Sequence, residues 1–425
     1  MAAQEPPPRP QSPDVVRLQG LLDRSDYITY YRQMAGIDAA RLTEAQRQYL
    51  LGMAAFHIGH LHTAIDPLTF AVNNSKQSLT AHQVESALET LGQDYLKLQR
   101  YSDSAAAYDE IDKVFGASLG EGEQFIKDNR HLAVLLLPVP PPSVAISGDF
   151  TLPRNGREYP VSIAGKPFLA QFDTGAEFTV LSASTAKAWG VTMLDGTGKL
   201  TGYSGRTFKA QPGYIPLLTI GKAELHNVAV YVTPDENLYI PQIGQQVNAL
   251  LGYPVVAALG RLTFARDGSL TVSANSPPRD LHASAALWFG RHSLLAELGT
   301  QAITTGGKIT GGTGTRLFVL DTGSGSTWLT DHYLAEHTNV FRGPPPETAK
   351  LTGAGGGTVE IPAYGAHPVP LFAGDTLIML NGQHVLTQPV SWEVEDYFGL
   401  IGADVLGYFS SYTIDLRSMT LTLQP

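Results

Sequence analysis

The sequence predicts a multidomain α+β protein, in which an N-terminal α-helical repeat domain precedes an all-β part built from two similar lobes. Its 425 residues exceed what one hydrophobic core usually supports, so two or three domains are expected. Over about residues 15 to 115, glycine is scarce and apolar residues recur at three- and four-residue spacing, which is typical of helices. The chain as a whole holds 43 Gly and 28 Pro but only 16% charged residues, which favours turn-rich β structure for the remainder.

The N-terminal part begins with a proline-rich stretch, so we expect a disordered tail over residues 1–13 and the helical domain over residues 14–135. Two segments of this domain carry the same order of small, apolar and aromatic residues: Leu51, Gly52, Ala55, Gly59, Ala64, Leu68 and Ala71, then Leu91, Gly92, Tyr95, Leu98, Tyr101, Ser104 and Tyr108. This order resembles tetratricopeptide repeats. The spacing from Gly52 to Gly92 is longer than the usual ~34 residues, which predicts an expanded loop around residues 73–81.

Small residues at these positions let paired helices approach closely. Two interpretations stay open, a true peptide-binding repeat and an ordinary helical hairpin that packs on the rest of the chain. Three histidines, His57, His60 and His62, lie close together, but their spacing does not place all three on one helical face. We therefore predict no metal site here.

Two proline-rich segments divide the rest of the chain. In residues 136–147 the prolines forbid a helix and leave an extended linker, and residues 275–283 form a second linker. Lobe one is therefore predicted over residues 148–274 and lobe two over residues 284–425. Lobe one begins with a hairpin that turns at Ala164 and Gly165. Lobe two closes with a strand pair that turns at Arg417 and Ser418.

The two lobes share four short motifs in one order. Asp-Thr-Gly occurs at residues 173–175 and 321–323, each time after an apolar run. The later motifs are Leu-Thr-Gly followed by more glycine at 200–205 and 351–356, two apolar residues and glycine at 250–252 and 400–402, and a strand-like triplet at 262–264 and 412–414. Four matched motifs at similar offsets indicate a duplicated unit.

The chemistry explains why there are two copies. An apolar strand that leads into Asp-Thr-Gly buries an acid where its ionisation can be controlled. Two such acids held a few ångströms apart cannot both ionise, so they share a proton, and one serves as base while the other serves as acid. A water between Asp173 and Asp321 can then be deprotonated and added to a carbonyl. These two residues are the predicted catalytic pair for amide hydrolysis without a covalent intermediate.

The motif Asp-Thr-Gly-Ala/Ser after an apolar strand, the glycine-rich hairpin and the apolar-apolar-Gly motif resemble those of the aspartic peptidases. Lobe one is more similar to the retroviral type and lobe two, with Trp328, to the pepsin type. The resemblance covers roughly residues 148–425 and implies a two-lobed acid-protease fold with aspartic endopeptidase activity. It also implies that Thr174 and Thr322 hydrogen-bond across the pseudo-twofold axis, and that the N–H groups of Gly175 and Gly323 face the carboxylates.

The fourth residue of each catalytic motif differs between the lobes. Ser324 can donate a hydroxyl to Asp321, whereas Ala176 offers Asp173 nothing. Because such a donor lowers the pKa of a carboxyl, we expect the first ionisation on Asp321 and a mildly acidic optimum. A second difference is Pro254, which stands where Asp404 stands in lobe two, so one polar contact is expected to be missing from lobe one.

The glycine-rich motifs lie between strand-like runs, where glycine suits a tight hairpin tip. By the resemblance, these hairpins close over the peptide as flaps, and Tyr203 is the candidate flap side chain. A phosphate-binding glycine loop would need a following helix, but residues 358–361 are strand-like, which favours flaps. The predicted flap residues are Gly202, Tyr203, Ser204, Gly205, Gly353, Ala354, Gly355 and Gly356.

Two functions remain open from the sequence. The first is a single-chain aspartic endopeptidase whose helical domain recruits substrate or occludes the active site, and the second is a non-catalytic peptide-binding or scaffold protein. Both acids and both Thr-Gly pairs are intact, which favours the first. We expect a monomer without cofactor that takes a peptide or protein substrate, and the helical domain is a candidate surface for a protein partner.

Composition narrows these classes further. The net charge of −10 argues against nucleic acid as the partner, and the absence of cysteine excludes disulfides, thiolate metal sites and a cysteine nucleophile. No run is apolar enough to span a membrane. The N-terminus lacks a basic region followed by an apolar run, so no signal peptide is expected in this chain. Because it resembles a mature chain with an added Met, we expect an extracytoplasmic location, periplasmic or secreted.

Overall fold

The computed structural model has a helical N-terminal region followed by a mostly β region, which confirms the predicted fold class. It describes residues 12–425 except 77, 117–121, 203, 241–243, 276–283, 304–308, 339–340, 342–343, 366–367 and 391–394. Nearly all of the predicted tail and of the second linker therefore lie outside the described residues. Contacts divide the chain into two compact units, Met1–Leu137 with Phe289–Arg291, and Pro138–Trp288 with His292–Pro425.

The helical unit consists of consecutive antiparallel helices with short connections. The helices are α1 (Pro13–Leu22), α2 (Tyr27–Met34), α3 (Glu44–His57), α4 (Leu61–Asn73), α5 (Ala81–Lys97), α6 (Tyr101–Phe115) and α7 (Gly122–Leu135). Capping boxes start α3 and α5, where Thr43 and Thr80 each accept from the backbone N–H three residues on. The loop between α4 and α5 falls within the segment where the sequence predicts an expanded loop. No helix in the described part of the chain combines the length and the apolar character needed to cross a membrane.

Two helix pairs, α3 with α4 and α5 with α6, pack around equivalent glycines. A Cβ on Gly52 would lie 2.5 Å from Leu68, and one on Gly92 would lie 2.6 Å from the Tyr108 ring. Ser104 also takes part, because its hydroxyl donates to the Gly92 carbonyl at 2.8 Å. The small residues singled out in the sequence thus set how closely these helices approach.

His57 lies in the core of the helical unit. Its ring stacks on Tyr27 with centroids 3.7 Å apart, and its Nδ1 lies 2.7 Å from the Phe289 carbonyl. Burial lowers the pKa of His57 to about 4. This histidine is therefore a neutral packing residue at neutral pH.

The β unit contains 26 strands and four helices among its described residues. Lobe one comprises β1 (Ser143–Ile146), β2 (Phe150–Leu152), β3 (Tyr159–Ile163), β4 (Lys166–Phe172), β5 (Thr179–Ser182), α8 (Ala183–Trp189), β6 (Thr192–Met193), β7 (Gly198–Thr201), β8 (Thr207–Ile220), β9 (Ala223–Thr233), β10 (Tyr239–Ile240), β11 (Gln245–Gln246), β12 (Ala249–Leu251), α9 (Tyr253–Leu259), β13 (Arg261–Ala265) and β14 (Leu270–Val272). Lobe two comprises β15 (Ser284–Phe289), β16 (Leu294–Ile303), β17 (Ile309–Leu320), β18 (Trp328–Leu329), α10 (Asp331–Glu336), β19 (Glu347–Thr352), β20 (Thr358–Gly365), β21 (Val369–Ala373), β22 (Thr376–Leu380), β23 (His384–Leu386), β24 (Gly399–Ile401), α11 (Ala403–Leu406), β25 (Ser411–Asp415) and β26 (Thr420–Gln424).

The strand register shows the duplication directly. In lobe one β4 runs parallel to β12, with Phe172 beside Leu251, and in lobe two β17 runs parallel to β24, with Leu320 beside Ile401. The last shared motif forms a sheet across the lobes, because β13 pairs antiparallel with β25 and Thr263 lies opposite Thr413. Their hydroxyl oxygens are 2.8 Å apart. The pseudo-twofold axis therefore passes between these two threonines.

Two predicted turns are confirmed and one linker needs correction. The β3–β4 hairpin turns at Ala164 and Gly165, both with positive φ, and β25 pairs with β26 around Arg417 and Ser418. Ser143–Ile146, in the second half of the predicted linker 136–147, is not a free connector, because it pairs with β9 in the lobe-one sheet. The prolines end before this strand begins, so they do not interrupt its hydrogen bonds.

Candidate active site

Equivalent strands deliver the two predicted catalytic acids to one place. Asp173 follows β4, and its backbone N–H donates to Leu251 of the neighbouring parallel strand at 3.0 Å. Asp321 follows β17, and its N–H donates in the same way to Ile401 at 3.1 Å. Each acid is thus held at the end of a buried strand that is anchored on both sides.

The two carboxyl groups are close enough for each to shift the pKa of the other. Asp173 is 8% exposed and Asp321 is 2% exposed. The approach is so close that the neighbouring glycines cannot be replaced. A Cβ on Gly175 would lie 2.6 Å from the Asp321 carboxyl carbon, and a Cβ on Gly323 would lie 2.3 Å from that of Asp173. The glycine of each motif is therefore required by the acid of the other lobe.

Thr174 and Thr322 join the two loops through four buried hydrogen bonds. The N–H of each threonine donates to the hydroxyl oxygen of the other at 3.1 Å. The hydroxyl of Thr174 donates to the Leu320 carbonyl at 2.6 Å, and that of Thr322 donates to the Phe172 carbonyl at 2.9 Å. This reciprocal arrangement is the contact that the sequence resemblance implies for these residues.

Backbone N–H groups contact each carboxylate. Gly175 donates to Asp173 at 2.9 Å, and Gly323 donates to Asp321 at 2.8 Å, as predicted. The predicted hydrogen bond from the Ser324 hydroxyl to Asp321 is not formed, so that prediction is wrong. The Ser324 hydroxyl instead donates to the Ser326 carbonyl at 2.9 Å, and it is the Ser324 backbone N–H that reaches Asp321, at 2.9 Å. Because a backbone N–H serves here, Ala176 can supply the same donor to Asp173 in lobe one.

Which of the two acids ionises first stays a prediction, because their pKa values are coupled. Burial raises the pKa of both acids. For Asp321 the charge of Asp173 adds to the effect of burial. For Asp173 the rise in pKa is opposed by backbone N–H groups and by the charge of Arg157. The two acids therefore titrate as one pair, and the Arg157 charge acts on the Asp173 side of it.

Arg157 and Gln171 support the lobe-two loop from lobe one, and the sequence analysis missed both. The Arg157 Nη2 donates to the Gly323 carbonyl at 2.8 Å, and the Gln171 Nε2 donates to the same oxygen at 3.1 Å. Gln171 lies two residues before Asp173, near the end of β4. This short spacing from the acid could have identified it in the sequence. Arg157 lies in a loop with no motif, so no local signal marked it.

A hydroxyl behind each loop holds the apolar-apolar-Gly motif in place. In lobe one the Gly252 N–H donates to Thr179 at 3.2 Å, and in lobe two the Gly402 N–H donates to Thr327 at 2.8 Å. Thr327 is further fixed by Asp404, which accepts from its hydroxyl at 2.6 Å and from its N–H at 3.0 Å. Pro254 stands at the position of Asp404, and its side chain has no acceptor with which to hold Thr179 in the same way.

The two glycine-rich segments are hairpin tips that touch one another. In the first, Thr201 pairs with Thr207, and the backbone of Gly202 and Gly205 closes the turn that also holds Ser204. In the second, Thr352 pairs with Thr358 around Gly353 and Ala354, and Gly355 and Gly356 have positive φ. A Cβ on Gly202 would lie 1.8 Å from the Ala354 carbonyl oxygen. The candidate flap side chain Tyr203 lies outside the described residues.

Two buried carboxyls on loops joined by reciprocal threonine bonds are the arrangement that the sequence resemblance to aspartic peptidases implies. Residues 159–255, which contain Asp173, match the family model described as aspartyl protease. Similar solved structures include a retropepsin-like aspartic protease from Rickettsia conorii, with 20% identity, a TM-score of 0.23, and coverage of 31% of this chain and 95% of that one. No curated protein matches the chain.

Proposed function

We propose that the protein is a single-chain aspartic endopeptidase that uses both lobes for one reaction. The observation that carries the proposal is the close approach of the Asp173 and Asp321 carboxyls on equivalent loops, where a Cβ on the glycine of either loop would lie within 2.6 Å of the carboxyl carbon of the other. A buried pair with one proton supplies a base and an acid at the same time. The family match to lobe one supports the same reaction class.

We assign the roles of the two acids from the charges around them, because the guanidinium of Arg157 favours an ionised Asp173. Asp173, the ionised partner, takes a proton from a water as that water adds to the scissile carbonyl. Asp321, the protonated partner, donates its proton to the carbonyl oxygen. Collapse of the tetrahedral intermediate then returns a proton to Asp321 from the hydroxyl and passes the proton on Asp173 to the leaving amine. No covalent bond between enzyme and substrate forms at any step.

The hairpin tips at Gly202 and Ala354 are in contact in this structure, and we propose that they open to admit an extended peptide. A peptide under them would offer its backbone to the hairpin tips, and its scissile bond would lie at the acid pair. The substrate class is therefore an unfolded segment of a protein, or a peptide.

An unstructured protein such as casein tests the activity. We expect cleavage at acidic pH, inhibition by pepstatin, and no cleavage by Asp173→Asn or Asp321→Asn. Binding of the same substrate without cleavage, by a preparation that melts cooperatively, would instead favour the non-catalytic peptide-binding protein.

We further propose that the helical unit acts on substrate access, by recruiting substrate or by occluding the active site. A recognition site for a specific protease placed within residues 138–142 would allow the chain to be cut after folding, and size-exclusion chromatography would show whether the helical unit then leaves, since Phe289–Arg291 belong to its contacts. A rise in kcat/KM after this cleavage would indicate occlusion, and a higher KM would indicate recruitment. Unchanged kinetics after separation of the units would contradict both roles.

A further inference from the structure

The two catalytic loops differ at the residue four positions after the acid. In lobe one this residue is Glu177, whose carboxylate lies 3.4 Å from the Nδ1 of His292. In lobe two it is Gly325, which has no side chain. A Cβ built on Gly325 would lie 3.1 Å from the Nη1 of Arg157. Lobe one therefore carries an acid at this place, and lobe two carries a residue without a side chain that lies close against a guanidinium.

Arg157 is half-buried and does not use all of its hydrogen-bond donors. A guanidinium has five N–H donors. Among the described residues, Arg157 makes one hydrogen bond, to the Gly323 carbonyl, and no ion pair within salt-bridge distance of a carboxylate. Its charge does act on Asp173, as the pKa of that acid shows. The Nη2 of the guanidinium thus binds the loop, and its Nη1 lies beside Gly325, which has no side chain to pair with it.

This space lies close to the reacting centre. Gly323 is in contact with the Asp173 carboxyl, and the Arg157 Nη2 is 2.8 Å from the Gly323 carbonyl oxygen. An extended peptide advances ~3.3 Å per residue, so Arg157 is within reach of a side chain about two or three residues from the scissile bond. A planar guanidinium binds carboxylates through paired hydrogen bonds, and partial burial strengthens them.

We propose that Arg157 is a specificity-determining residue that binds the carboxylate of an Asp or Glu side chain of the substrate, on one side of the scissile bond. The inference rests on the proposed peptidase function and adds a substrate class to it. The substrate carboxylate pairs with the guanidinium, for which Gly325 supplies no acid. At the equivalent place of lobe one, Glu177 lies beside His292.

The test compares peptides that differ at one residue. A peptide cut at one bond is acetylated and amidated, so that it has no terminal charges, and Glu, Gln or Lys is placed in turn at each of three positions on either side. For the wild type we expect Glu to exceed Gln about tenfold in kcat/KM at one position, and the ratio to fall with added salt. Arg157→Gln should bring the ratio to about one, and Arg157→Glu should favour Lys.

Matched variants separate substrate binding from loop support. Gly325→Glu gives lobe two the carboxylate that lobe one has, and it should also bring the Glu-to-Gln ratio to about one. Glu177→Gln changes the other loop and should leave the ratio unaltered. If Arg157 only holds the Gly323 carbonyl, Arg157→Gln will slow all peptides alike and keep the ratio, and that result would overturn the proposal.

A binding measurement keeps this inference apart from the peptidase proposal. Reduced-amide versions of the Glu and Gln peptides cannot be cleaved, and their Kd values can be measured by calorimetry. A tighter Kd for Glu that Arg157→Gln abolishes supports the acid site, even if no turnover is seen. Equal Kd values, or no binding of either peptide, would overturn the acid site whatever the outcome with casein.

Discussion

The lobe-one and lobe-two catalytic loops share a backbone but differ in the charges around it. In each loop a glycine N–H donates to the acid, and a threonine hydrogen-bonds to the other loop. A second threonine hydroxyl accepts from the glycine of the apolar-apolar-Gly motif. Yet Asp404 braces lobe two alone, and Arg157 lies beside the lobe-two loop while its charge lowers the pKa of Asp173. The comparison teaches that a duplicated scaffold positions two identical acids, and that residues outside the duplication assign them different roles.

The largest expected effect comes from removing either acid. Asp173→Asn and Asp321→Asn should each lower kcat/KM by about 10³-fold or more, because a single carboxyl cannot supply both the base and the acid. Steady-state cleavage of a fluorogenic peptide measures the loss, and thermal melts check that the fold is intact. A variant that melts normally and keeps most of its activity would show that the acids do not share one reaction.

The hydrogen bonds between the Thr174 and Thr322 loops should lose the same amount of stabilisation whichever threonine is changed. Thr174→Val and Thr322→Val each remove a hydroxyl that both donates and accepts, and leave buried backbone groups unpaired. We expect each to lower the free energy of unfolding by about 2 to 3 kcal/mol. Urea denaturation measures this, with Thr263→Val, in the sheet across the lobes, as the control for a threonine outside the loops. Unequal losses would mean that the bridge is not symmetric in energy.

The Asp404 brace should matter in lobe two only. Asp404→Ala removes the acceptor for both the N–H and the hydroxyl of Thr327, and we expect a loss of about 1 to 2 kcal/mol in unfolding free energy. Pro254→Asp places the same acid in lobe one as the matched change. It should alter the unfolding free energy by less than about 0.5 kcal/mol, since lobe one folds without the contact. A larger change for Pro254→Asp would contradict this difference.

The pH profile reports the charge difference between the loops. Activity needs one ionised carboxyl, so the acidic limb is the lower macroscopic constant of the pair, and the Arg157 charge lowers the pKa of Asp173 within it. Arg157→Gln removes that charge, so the acidic limb should move to higher pH. Ser324→Ala should leave it in place, because that hydroxyl bonds to Ser326 and not to Asp321. An acidic limb that stays in place for Arg157→Gln and moves to higher pH for Ser324→Ala would support the order of ionisation predicted from the sequence.

The smallest expected effect is that of dilution. Both acids lie on one chain, so specific activity should stay constant as the protein is diluted through the nanomolar range. Sedimentation velocity over the same range should show a monomer. Activity that falls together with dissociation of a larger species would contradict a single-chain site.

Features encoded by neighbouring residues were predictable from the sequence. Apolar runs, Thr-Gly turns and glycine-rich tips recur at matching offsets, so both acids, their glycines and the hairpin strands could be placed. Long-range contacts could not. Arg157 meets Gly323, 166 residues away. The strand Ser143–Ile146 exists because β9 lies beside it. The Ser324 hydroxyl follows its own turn to Ser326, which composition alone does not reveal.

The pairing of β13 with β25 has a consequence for how the β unit unfolds. Strand β25 lies between β13 of lobe one and β26 of lobe two, with Thr263 opposite Thr413 at the centre of the contact. Neither lobe can release this strand without exposing backbone groups of the other. Native-state hydrogen exchange should therefore find the amides of β13 and β25 opening together, with one shared free energy, in a single cooperative transition that spans both lobes.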